Sequence, residues 1–287
     1  MALFIAMLWS GTSSVIGQTP AGGFTRMADG KPDLNGFWQA LTTANWDLEE
    51  HGSAPSPYPN LLGAYLAQPP GYSVVEGGTI PYKPEALAKK KRHFEKRLQP
   101  EPLLDNNVEE DMADPEAKCF QGGVPRSVYM PYPWQIMQPG GDTMLIGYQQ
   151  GGQSARVIHL VDRGKDIVKA RTEMLLDIDS WMGQSVGKWE GDTLVIDVRG
   201  FGGTVWLDRA GNFYSKKAQV TERYTPTSPS HMRYEATIED PDVFTRPWKI
   251  SLPLYKSVDP KVELLEFQCI PFAEPFLYGT LEKKEKK

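Results

Sequence analysis

From Trp134 onward, hydrophobic and polar positions alternate in short runs broken by glycine and other turn residues, the pattern of successive strands. The cleanest run lies in WMGQSVGKWEGDTLVIDVRGF, residues 181–201, where Leu194, Ile196 and Val198 alternate with Thr193, Val195 and Asp197. Glu190, Gly191 and Asp192 make its turn, and Gly183, Ser185 and Gly187 lead through Lys188 to Trp189, so the segment predicts a central hairpin. Residues 134–138, 143–150 and 155–161 read as a meander, with Gly140, Gly141, Gly151 and Gly152 at the turns. Further strands are predicted over 216–226, 231–239, 248–257 and 262–270. In 231–239, Met232, Tyr234, Ala236 and Ile238 face a core while Arg233, Glu235, Thr237 and Glu239 face water. An earlier strand starts in DLNGFWQ, residues 33–39. About nine strands with short reversals predict a mainly β protein, an antiparallel up-and-down sheet closed into a barrel so that no edge is left open.

Ahead of the meander the pattern breaks down. Residues 40–82 are punctuated by Pro55, Pro57, Pro59, Pro69, Pro70 and Pro81, leaving room for one short helix over 60–67. A longer helix is predicted from Pro84 to about Leu98, with Leu87, Phe94 and Leu98 at helical spacing and the cluster Lys89, Lys90, Lys91, Arg92, Lys96 and Arg97 as its solvated face. Residues 100–117 carry Glu101, Asp105, Glu109, Glu110, Asp111, Asp114 and Glu116 with few apolar residues, the composition of a mobile acidic loop more than of a metal site. The expected layout is an apolar leader over 1–17, an extended arm over 18–32, one barrel domain over 33–275 with a helical and irregular insert over 40–117 forming a short N-terminal wrap, and a charged tail over 276–287.

Composition sharpens this outline. The 27 glycines and 24 prolines among 287 residues suit a loop-rich β protein and argue against a helical bundle. A net charge of −5 with no basic stripe argues against a nucleic-acid partner. Residues 1–17 are uncharged, hold the run ALFIAMLW and end in small residues before Gln18, which resembles a secretory signal without its positive start; the run is too short to span a bilayer. A secreted or periplasmic protein is expected. In such a compartment Cys119 and Cys269, the two cysteines, either pair or remain separate buried thiols.

Chemistry is harder to locate. His51, His93, His159 and His231 show no zinc spacing, with His159 read as a satisfied barrel residue, and no cofactor motif is present. Carboxylates are more suggestive: Asp177 and Asp179 precede Trp181, and Glu222 adjoins Arg223 in VTERY, so one of that pair must point into the barrel and be paired there. Two carboxyls held at different pKa values could perform acid–base work. Asp177, Asp179, Glu222 and Arg223 are therefore the catalytic candidates, with Trp181, Trp206 and Tyr224 as substrate walls and Arg126 and Arg246 as anion clamps. The same carboxylates also suit plain turn and loop hydrogen bonds.

Two resemblances bear on these residues. Gly36, Phe37 and Trp38 are similar to the triplet that opens lipocalin-like calycin barrels. The ordered segments PDLNGFW, CFQGGVPR, WMGQSVGKWEGDTLVIDVRGF, WLDRAGNFYS, VTERY and EDPDVFTRPWKI resemble an uncharacterised family of exported bacterial proteins over most of residues 32–270. That resemblance implies export and no settled reaction. Its members often carry a His–Pro pair before the WMG segment and a histidine where this chain has Tyr214, so an activity resting on those histidines would not carry over. Three readings follow: a cofactor-independent hydrolase, lyase or isomerase acting on a small apolar or aromatic molecule, favoured slightly; a carrier of such a molecule; or a structural envelope protein. Oligomeric state is open.

Overall fold

The computed structural model describes residues 23–98, 113–150, 155–161, 167, 169 and 178–269. Among them nine strands close into one barrel in chain order. These are β1 (Gly36–Ala40), β2 (Trp134–Met137), β3 (Thr143–Tyr148), β4 (Ala155–Leu160), β5 (Gln184–Glu190), β6 (Thr193–Arg199), β7 (Gln219–Ser228), β8 (His231–Glu239) and β9 (Trp248–Lys256). β1 makes the seam by pairing with both β2 and β9.

The barrel is mixed, which corrects the expected all-antiparallel cylinder. β4 and β5 run parallel, with Ile158 opposite Ser185. A two-residue hairpin can only reverse the chain, whereas the connection over 161–183 is long enough to carry it back to the end where β4 began. A second correction concerns 262–270. Residues 262–269 form no strand, because β8 and β1 already occupy both edges of β9.

Alternation fixes which side chains fill the cylinder. Leu194, Ile196 and Val198 on β6 and Met232, Tyr234, Ala236 and Ile238 on β8 are buried. The β5–β6 hairpin turns on Gly191 and Asp192, with Glu190 opposite Thr193; Gly191 has φ +61°, which glycine alone adopts at little cost.

Outside the barrel, helix α1 (Pro84–Lys96) starts at the proline whose fixed φ suits a first turn. Its buried residues are Ala86 and His93, whereas Leu87 and Phe94 are 40% and 41% exposed. The His93 ring stacks on Trp206 at 4.5 Å and meets the edge of Phe213 at 4.9 Å. Gly211 permits that approach, since a Cβ there would sit 2.9 Å from the Lys90 carbonyl oxygen. The short helix expected over 60–67 is replaced by turns, and Leu66 takes φ +54°, outside the helical region. Between β1 and α1 the chain runs beside β9, Glu76 N–H donating to the Lys249 carbonyl (2.8 Å) and Ser251 N–H to that of Val74 (2.9 Å). A 3-10 turn (Pro115–Lys118) and the short helix α2 (Arg126–Tyr129) follow. Cys119 and Cys269 are joined in a disulfide, tying that turn to the segment after β9.

Candidate functional site beside a filled barrel

A closed nine-stranded barrel can enclose a small apolar or aromatic ligand, but here side chains occupy the interior. Glu222 on β7 points inward and is fully buried, while Arg223 points outward to Glu190 (2.9 Å). Arg156, reaching across from β4, pairs with Glu222 Oε2 and donates from Nε to Ser185 Oγ (2.8 Å). Tyr224 and Tyr234 donate to Glu222 Oε1 at 3.0 and 2.8 Å. Burial would lower the Arg156 pKa, yet the Glu222 carboxylate outweighs it and holds it well above the ordinary range. Burial, aided by Glu222, raises both tyrosines well above theirs, so they remain neutral donors. Among the described residues, Arg156 Nη1 and the Tyr148 hydroxyl have no hydrogen-bond partner, although the nearby Arg156 charge opposes the rise that burial gives the Tyr148 pKa. Trp134, Ile136, Ile146, Ile158 and Tyr214 pack around the cluster, all 0% exposed.

A pocket lies outside this core. Its volume is about 350 Å³, and it is lined by parts of the chain far apart in sequence: Trp46, Ala54 to Gln68, the C-terminal end of α1 with Phe94, Arg97 and Leu98, the Asp114–Ala117 stretch, Tyr132, Gln150, Arg209 and Phe267 to Cys269. That size falls at the lower end of small-molecule sites, about 300–1,000 Å³.

One wall is an ion-pair network. Arg126 donates to Asp114 through Nη1 (2.7 Å) and Nη2 (2.9 Å), to Glu116 through Nη2 (2.8 Å), and to Asn45 Oδ1 through Nε (2.8 Å). Arg209 clamps Glu116 with two bonds of 2.8 Å while lying over the Trp46 ring at 4.3 Å. Burial alone would raise the Glu116 pKa, but Arg209 and Arg126 overcome it and hold the carboxyl at about 2. Asp114 and Glu116 are thus buried and structured, contrary to the mobile acidic loop expected there; residues 100–112 lie outside the described residues. The disulfide places Phe267 and Cys269 on the opposite wall.

Behind the network is a buried carboxyl pair. Asp208 accepts from Leu48 N–H (2.9 Å) and from Asn212 through Nδ2 (2.6 Å) and backbone N–H (3.1 Å). Asn212 Nδ2 also donates to Asp47 (3.3 Å). Burial, and after it the neighbouring Asp47 carboxylate, push Asp208 up to about 7. Asp208 does not line the pocket.

The residues singled out in the sequence are dispersed. Asp177 lies outside the described residues, and Asp179 is exposed on the approach to β5. Glu222 and Tyr224 are inside the barrel and Arg223 is on its outer face. Trp181, half-buried, stacks on Phe120 at 4.7 Å and donates to the Gln121 carbonyl, fastening the WMG segment to CFQGGVPR. Trp206 is sealed beneath α1. Arg126 is 1% exposed and clamps this chain's own carboxylates. Arg246 is exposed and donates to the adjacent Pro247 carbonyl (3.2 Å). The structure brings none of Asp179, Trp181, Glu222 and Arg223 to the pocket. His159 lies on barrel strand β4, on the outward face that it shares with the 44%-exposed Val157. Missed in the sequence as pocket residues were Trp46, Tyr65, Arg97, Arg209 and Phe267, whose only signal was aromatic or cationic character; Arg97 was expected on a solvated helix face and Phe267 in a strand.

No group of three or more His, Cys, Asp or Glu among the described residues is placed to hold a metal ion. No helix among them is long and apolar enough to cross a membrane. Comparison with protein-family models, curated proteins and solved structures returned no match.

Proposed function

We propose that this protein binds a small apolar or aromatic molecule in the pocket beside the barrel and carries it without acid–base chemistry. The observation that carries this reading is an aromatic-walled pocket of about 350 Å³ whose carboxylates are already spent in ion pairs. General acid–base work needs a group poised near the working pH, and Glu116, held at about 2, is too weak a base. Carriage therefore fits better than a hydrolase, lyase or isomerase reaction, and the packed core fits it better than a ligand in the lumen. The proposal includes a secreted or periplasmic setting, supported by a disulfide that an oxidising compartment sustains. It also includes the family resemblance and the lipocalin-like sense of Gly36 to Trp38; Trp38 is buried and donates to the Leu34 carbonyl (2.9 Å).

Calorimetric titration of naphthamide, a neutral flat aromatic, into the full disulfide-bonded chain tests the reading. Saturable binding is expected. Phe94 is 41% exposed, so Phe94→Ala leaves the fold intact, and losing its ring is expected to weaken binding about tenfold, roughly 1.4 kcal/mol. Unchanged affinity in Phe94→Ala would place the ligand elsewhere.

A further inference from the structure

Among the described residues that line the pocket, the carboxylates are those of Asp114 and Glu116 and the guanidiniums those of Arg97 and Arg209, with Arg126 directly behind. Arg126 and Arg209 consume both carboxylates. Arg97, just past the end of α1, lies over the Phe94 ring at 3.9 Å and donates from Nη1 to the Phe94 carbonyl (2.5 Å). It has no carboxylate partner among the described residues, and its remaining N–H groups can donate to an acceptor in the pocket. A half-buried guanidinium stacked on a ring is a geometry suited to a planar anion, because a carboxylate can take two parallel N–H bonds while its ring continues along the aromatic wall.

We propose that the ligand of this pocket is an aromatic carboxylate, with Arg97 receiving the carboxylate and Phe94, Tyr65 and Trp46 walling the ring. The proposal rests on the pocket being the ligand site and adds the charge of what it takes. Burial lowers the Arg97 pKa, and a bound anion would reverse that.

The test compares naphthoate with naphthamide, equal in shape and different in charge, by calorimetry on the full disulfide-bonded chain, and repeats both with Arg97→Met. The wild type is expected to prefer naphthoate by at least about tenfold. Arg97→Met is expected to abolish that preference, bringing the affinities for the two probes within about twofold of each other whatever the change in their common level. Equal binding of the two probes by the wild type overturns the carboxylate assignment and leaves the pocket as a neutral aromatic site. A preference that survives Arg97→Met overturns the role of Arg97. Binding of neither probe overturns both the pocket reading and this inference.

Discussion

Asp208 is a buried carboxyl moved from its ordinary 3.8 to about 7 by burial and by Asp47. The folded state therefore holds a proton that the unfolded chain releases. The stabilisation from this group is complete below about pH 4 and is lost as pH rises to about 7. Denaturant unfolding across that window should show wild-type stability falling by a few kcal/mol, with this part of the slope missing in Asp208→Asn. Identical slopes in the two proteins would remove Asp208 as the source. In the sequence Asp208 carried no mark, since its burial depends on Leu48 and Asn212 closing over it. Glu222 was legible, because adjacent Glu222 and Arg223 on a strand cannot share a face. Its partner Arg156 was not, being 66 residues away on a strand where Arg156 and Val157 were equally free to point inward.

At the scale of elements, α1 shows how a helix can be placed correctly and oriented wrongly. Its start at Pro84 was written in the proline, but the Leu87–Phe94 stripe suggested a buried face that the structure leaves half open. His93 turns the helix, because its ring completes a stack with Trp206 and Phe213. Phe94 and Arg97 are consequently aimed into the pocket. Gly211 is the contact that permits this docking. Gly211→Ala puts a methyl 2.9 Å from the Lys90 carbonyl oxygen and 2.7 Å from His93 Cβ, at φ +83°. The variant is expected to lose about 1–3 kcal/mol of stability and to bind naphthamide more weakly as α1 shifts. Wild-type stability and affinity would show that the helix does not depend on this approach. The parallel β4–β5 pair was hidden for a different reason: residue alternation reports which face a side chain takes and is silent about strand direction.

For the whole molecule, the barrel was legible and the pocket was not. Strand alternation repeats every two residues and can be read locally, whereas the pocket is assembled from Trp46, Tyr65, Phe94, Arg209 and Phe267, each in a different segment. The disulfide between Cys119 and Cys269, 150 residues apart, is what holds the last of these in place. On the proposed reading, ligand binds beside the filled barrel and leaves the lumen closed, and two tryptophans report on the alternatives. Trp46 lines the pocket, while Trp134 is 0% exposed inside the barrel with its indole N–H bonded to the Val128 carbonyl (3.1 Å). The most direct measurement is the proton–nitrogen spectrum of the indole groups during titration with naphthoate, assigned through single Trp→Phe variants. The Trp46 indole is expected to shift in step with saturation while that of Trp134 stays fixed; a moving Trp134 with a stationary Trp46 would put the ligand in the lumen and contradict the account.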